Sequence, residues 1–176
     1  MHPRLKKRVE RASQKREELL SELSGLPVAA LEWRPAEGAW TLLEIVEHLV
    51  LAEQDVLIDL SNLKGLEVRA RSWTNVARYW LVLGVLRFKI PVPVPSEGMV
   101  PNGGRPLAEL ADLWERQHAA LLTFVSELAP TAASDPIFAH PVTGPLTVTE
   151  AVRMLEVHLD RHIGQARRTM ERWASR

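Results

Sequence analysis

Apolar residues recur at helical spacing along most of the chain, and strand-like alternation is almost missing outside one proline-rich segment. Leu5, Val9, Ala12, Leu19 and Leu23 draw one inner stripe, which predicts a first helix over residues 4–24, stopped by Gly25 and Pro27. A second helix starts after Thr41, which forms a capping box with Glu44, and runs to about Leu63. The stretch from Trp73 to Phe88 is a shorter apolar helix. Pro91, Pro93 and Pro95 break it, and an ordered, extended loop continues through Pro101, Gly103, Gly104 and Pro106. Leu110, Trp114, Leu121 and Val125 mark the inner face of a helix from Leu107 to Leu128. After a loop from Pro130 to Pro145, Thr147 and Glu150 form a second capping box ahead of a helix from Val148 to Trp173. Four long helices, one short extra helix and no internal repeat predict an all-α fold, a four-helix bundle with long crossover connections.

With 176 residues and 46% apolar content, the chain suits one domain spanning residues 1–176. The 22 basic and 22 acidic residues cancel, so no global field selects nucleic acid, an anionic membrane or acidic substrates. Arg4, Lys6, Lys7, Arg8, Arg11, Lys15 and Arg16 cluster near the start, but Glu10, Glu17 and Glu18 interleave with them, which predicts a solvated helix face. Five of the six tryptophans read as core and not as base-stacking platforms. The longest apolar stretch, Tyr79 to Leu86, is far below the roughly 20 residues of a membrane helix. Cysteine is absent, which removes disulfides, thiolate ligands and a cysteine nucleophile and fits a cytoplasmic protein. The charged N-terminus leads into a Glu-rich helix, unlike a signal peptide.

The chemistry concentrates in His158-Leu-Asp-Arg-His162-Ile-Gly-Gln165. Residues four apart on a helix share a face and are separated by about 6 Å of rise, so both imidazoles reach one metal ion. A metal site that does chemistry commonly takes three protein ligands and leaves a position open. His48, on the inner row Ile45, His48, Ala52 and Asp55 of the second helix, is the best-placed third ligand, with Asp55 or Glu44 as an orienting or extra group. His118 reads as a structural core histidine, His140 as a packing or capping residue, and His2 as solvated. Gln165 either satisfies nearby backbone or orients a ligand. Other templates fit poorly. Leu159 stands where a zincin needs its glutamate, no nucleophile elbow is present, and Gly103-Gly104 is too weak a phosphate-loop signal.

The segment from Trp33 to Leu49, containing Gly-Ala-Trp40-Thr and His48, followed by His140-Pro-Val-Thr-Gly144 and by His158, His162 and Gln165, resembles the DinB-like superfamily over nearly the whole chain. The resemblance implies a four-helix bundle holding a divalent metal, zinc or nickel, through His48, His158 and His162. It implies a metal-dependent enzyme acting on a small-molecule substrate, a transferase using a low-molecular-weight thiol such as bacillithiol or mycothiol. A metal-dependent hydrolase and a non-catalytic, stress-associated dimerising bundle with a structural metal are the alternatives. A homodimer is expected from the resemblance too, with Trp80, Leu81, Leu83, Val85 and Leu86 on the short helix as its apolar surface; the alternative is that this helix simply lids the bundle.

Overall fold

The computed structural model describes residues 3–61, 70–90 and 96–176. The bundle helices are α1 (Pro3–Ser24), α3 (Leu42–Ser61), α5 (Leu107–Glu127) and α6 (Val148–Ala174), with a single turn, α2 (Val28–Leu31), and the extra helix α4 (Trp73–Arg87) between them. Both predicted capping boxes form. Thr41 N–H donates to Glu44 Oε2 at 2.7 Å while Glu44 N–H donates to Thr41 Oγ1 at 3.1 Å, and Thr147 and Glu150 repeat the exchange at the start of α6. A third box, Ser72 with Asn75, starts α4 and was hidden in the sequence because asparagine replaces the usual Glu or Gln. The expected run of α3 to Leu63, the Pro91, Pro93 and Pro95 break and His2 lie outside the described residues.

Cross-helix ion pairs give the helix directions. Arg8–Glu156, Lys15–Asp160 and Arg167–Glu22 advance together along α1 and α6, so these helices run parallel. Glu47 meets Arg105 and Gly103 just before α5, and Glu53 meets Trp114 and His118 further along it, so α3 and α5 are also parallel. The two pairs oppose each other: α1 and α5 meet through Arg16–Glu115 and His118–Val9, which run in opposite directions. Consecutive bundle helices that point the same way need a connection as long as the bundle. The chain between α3 and α5, carrying α4, is that crossover, and α4 packs on the outside of α6.

The core has two parts. At one end Leu5, Val9, Leu121, Val125, Val148 and Val152 pack with Tyr79 and Leu83 of α4; at the other Leu19, Leu23, Ile45, Val46, Leu110, Trp114 and Ile163 interdigitate. A cavity of about 30 Å³ lies between helices here, lined by Arg16, Glu53, His118 and His158 among apolar neighbours.

Three expectations change. The loop from Pro130 to Pro145 contains an antiparallel hairpin, β1 (Pro136–His140) with β2 (Gly144–Thr147), whose strands are too short to announce a period of two. Gly144 turns the chain at φ +74°, and a Cβ there would sit 2.5 Å from Asn75 Nδ2, which donates to the Thr143 carbonyl and ties the hairpin to α4. Among the tryptophans only Trp114 is fully buried; Trp73 is 80% exposed and Trp80 53%. Tryptophan at helical spacing marks a face, and α4 has more apolar faces than the bundle covers. Arg16, expected in solvent, is 2% exposed and paired with Glu115, while Arg8, Arg11 and Lys15 pair with Glu156 and Asp160. The bundle takes up these four, while Arg4 and Lys7 stay exposed as expected.

Candidate metal centre

The antiparallel contact of α3 and α6 brings His48 to His158 and His162. One ligand nitrogen from each lies within 4.8 Å of the other two, and these three are the group among the described residues able to hold an ion. The imidazole centroids are 4.5–4.9 Å apart, with rings at steep angles to one another. His48 Nε2 and His158 Nε2 are 3.0 Å apart. Two nitrogens bound to one ion at about 2.0–2.1 Å each would stand roughly 3.0–3.4 Å from each other, so the spacing fits a shared ion.

The groups behind the rings set which nitrogen is offered. His48 Nδ1 lies 2.7 Å from the Met99 carbonyl oxygen, which can only accept, so Nδ1 carries the proton and Nε2 the lone pair. His162 Nδ1 likewise faces Gln165 Oε1 at 2.9 Å, one helical turn on. Trp40 stacks against the cluster, its ring 4.7 Å from His48 and 6.0 Å from His162. Burial keeps the imidazoles neutral. It pushes His162 down to about 3, with His48 beside it adding to the effect, and holds His158 well below and His48 below the usual histidine value. Three neutral imidazoles, two of them locked to present Nε2, are the donor set a divalent cation takes.

The three histidines line a pocket of about 880 Å³. Leu81, Val82, Val85 and Leu86 of α4 form one wall, Phe138 and Leu146 of the hairpin another, and Met154 and Leu155 of α6 continue the apolar surface. Its polar rim includes Asp55, His140, Arg161 and Gln165. A site of this kind can admit a small molecule beside the histidines.

The sequence profile of the DinB superfamily matches residues 11–166, a span that includes all three histidines and Gln165. The chain belongs to the DinB superfamily. No curated protein and no solved structure matches it. A three-histidine cluster able to bind a divalent ion, in a DinB-superfamily bundle, fits a metal-dependent enzyme.

The remaining expected residues of this DinB-superfamily chain separate cleanly. Glu44 is spent on its cap and on Arg34 at 2.6 Å, which leaves it no part in the cluster. Its carboxyl is held below the usual value by the Arg34 and Thr41 hydrogen bonds, against the opposing effect of burial. Asp55 lines the pocket without joining the three histidines. His118 is structural: Nδ1 faces Glu53 Oε1 at 2.8 Å and Nε2 faces the Val9 carbonyl at 3.3 Å, so neither nitrogen is offered to an ion. His140 caps the hairpin turn, its Nδ1 accepting from the Val142 and Thr143 N–H groups, and its burial lowers its pKa. Trp40, Met99 and Arg161 were not foreseen as site residues. Trp40 was visible one residue before a cap, but Met99 acts through its backbone, which carries no sequence signal.

Among the described residues no helix is long and apolar enough to cross a membrane.

Proposed function

We propose that this chain is a metal-dependent transferase joining a low-molecular-weight thiol to an electrophilic small molecule, with His48, His158 and His162 holding one zinc or nickel ion. The observation that carries the reading is that these three imidazoles open onto a pocket of about 880 Å³ instead of being sealed in the core. A closed, fully ligated site would favour a structural ion. Bound there, a divalent ion would supply Lewis acidity, lowering the pKa of a thiol in an open coordination position.

The chain's own residues do the rest. Met99 and Gln165 keep the protons of His48 and His162 on the far side of each ring. Trp40 covers the two imidazoles, and the leucine and valine wall of α4 excludes water, which favours attack by sulfur over hydrolysis. With no cysteine in the chain, the sulfur nucleophile has to arrive with a small molecule. The thiol gives up its proton to solvent, the sulfur–carbon bond forms, and the bond from that carbon to the electrophile's halogen or epoxide oxygen breaks, releasing halide or leaving an alkoxide that takes a proton from solvent.

Metal analysis of untagged protein, followed by thiol titration of the cobalt-substituted form, tests this. Bacillithiol, mycothiol, glutathione or coenzyme A should add a sulfur-to-metal absorption band and accelerate conjugation to an epoxide or haloalkane, and His158→Ala should do neither. If metal binds but no thiol in the panel changes spectrum or rate, the transferase reading falls, and an ester and amide panel separates hydrolysis from a non-catalytic bundle.

We further infer a homodimer built on α4. Of the surface expected for it, Leu83 is buried in the core and Val85 and Leu86 line the pocket, but Trp80 and Leu81 stand exposed together with Trp73 and Phe88, more apolar surface than a monomer usually leaves to water. Sedimentation should show a dimer at micromolar concentration that Trp80→Glu/Leu81→Glu converts to monomer; a wild-type monomer refutes it.

A further inference from the structure

The rim of the pocket carries positive charge that the fold does not neutralise. Several arginines among the described residues have a carboxylate within 4 Å, such as Arg34 with Glu44, Arg71 with Glu150 and Arg167 with Glu22. Arg161, Arg168 and Lys89 are among the described cations that have none, and these three come together beside the pocket, with Arg161 in its lining. Arg161 stands between the metal-cluster histidines on α6, half-buried, and lines the pocket. Arg168 is near enough to act on Arg161 electrostatically. Arg168 Nη1 and Lys89 Nζ both lie over Gly164, 3.4 Å and 3.2 Å from where a Cβ would be.

The backbone is arranged to put the lysine there. Lys89 has φ +57°, the one non-glycine residue with a left-handed backbone among those described. It closes α4 in a Schellman turn, with Ile90 N–H donating to Val85 O and Lys89 N–H to Leu86 O. Glycine is the usual residue at that position, because a side chain is strained there. Gly164 is the complement: glycine inside a helix weakens it, yet here it leaves room for Lys89 to cross α6. Arg161 Nη1 donates to the Ile90 carbonyl at 2.9 Å and, less closely, to that of Val85 at 3.4 Å. That anchor explains why an arginine sits here, but it occupies one nitrogen and leaves Nε and Nη2. It does not explain why two further cations are gathered beside it.

We propose that the pocket takes ligands with an oxyanion head, a carboxylate or phosphate, held by Arg161 in its lining with the charges of Lys89 and Arg168 beside it, and an apolar body along the α4 wall. A guanidinium fork suits both head groups, and the leucines and valines suit the body. Arg161 precedes His162 directly and follows His158 by three residues, so a small molecule held by its head reaches the histidine cluster with its other end. This inference rests on the small-molecule pocket of the proposed function, but not on its thiol chemistry.

Calorimetry on the full-length chain, zinc-loaded and again after chelation, with hexanoate, hexyl phosphate and hexanol as probes tests it. At least one anionic probe should bind 10-fold or more tighter than hexanol in both metal states, and which one does so identifies the head group. Arg161→Gln should remove that preference, while Arg161→Lys should keep part of it. Lys89→Gly serves as the second variant, because it removes a charge and relieves the left-handed backbone: melting temperature should rise while anion affinity falls several-fold. Equal binding of hexanol and both anions, or an anion preference lost only on chelation, overturns the proposal. So does a Lys89→Gly variant that gains stability at unchanged anion affinity. Failure of thiol conjugation with the anion preference intact would sink the transferase and leave this binding site standing.

Discussion

His48, His158 and His162, as one group, and His118 are all helix-borne, inward-facing histidines, and their surroundings put them to different uses. Each of His48 and His162 has one nitrogen facing an acceptor and the other turned toward its neighbours. His118 has both nitrogens facing oxygens, from Glu53 and Val9, and Glu53 also accepts from Trp114 Nε1 at 2.6 Å. The first group lines an 880 Å³ pocket, whereas His118 borders only a cavity of about 30 Å³, which His158 also touches. Spacing alone does not separate a ligand from a structural histidine. The count of occupied nitrogens does.

The largest effect should come from the open side. Replacing any one of His48, His158 or His162 by Ala should lower metal affinity by more than about 100-fold, since even orienting partners contribute 10–100-fold. His118→Ala should leave one ion per chain, and elemental analysis with chelator competition reads both. If His118→Ala loses the metal and the other three retain it, the comparison is inverted. The closed side should matter most for folding. Glu53→Ala strands the Trp114 and His118 donors in the core and should cost about 3 kcal/mol or more in urea unfolding. A cost below about 1 kcal/mol would mean that water replaces the carboxylate without penalty.

A smaller effect tests the back-side hydrogen bonds. Gln165→Ala should weaken metal binding by about 10–100-fold while leaving apo-protein stability nearly unchanged, because it releases only the far nitrogen of His162. Unaltered affinity would reduce Gln165 to a bystander. The gentlest probe is pH. In the metal-free protein the folded-state pKa values of His48, His158 and His162 lie below the usual histidine value, so the unfolded chain takes up protons first as pH falls. Their contribution is complete above about pH 6.5 and should be lost as pH falls below it, for His162 down to about pH 3, by at most about 1.4 kcal/mol per pH unit for each histidine. Stability that holds level from pH 7 to pH 4 would contradict neutral, buried imidazoles.

Much of the bundle was legible because helical amphipathicity and capping are local. Leu5 to Leu23, Thr41 with Glu44, and Thr147 with Glu150 each declare themselves within a few residues. The histidine cluster was legible for half its length: His158 and His162 share a helical face, whereas His48 needed the antiparallel contact of α3 with α6 or a family resemblance to bring it in. What escaped depends on contacts distant in sequence. Glu53 reads as one more charge on a helix until His118 and Trp114 arrive 65 and 61 residues later. The short hairpin escaped because strands of five and four residues carry too few alternations.

The parallel pairing of α3 and α5 divides the pocket between two kinds of chain. The histidine cluster belongs to the bundle, whereas the α4 wall belongs to the crossover that the pairing requires. Variation can therefore act on one without the other: lengthening, shortening or recoding the crossover reshapes what the pocket admits and leaves the three histidines where they are. One constraint limits that freedom. The crossover must pass Met99 back beneath His48, because the carbonyl at that residue fixes which nitrogen the histidine presents. Grafts that keep the stretch around Met99 should inherit the metal chemistry with a new choice of substrate, and grafts that displace it should inherit neither.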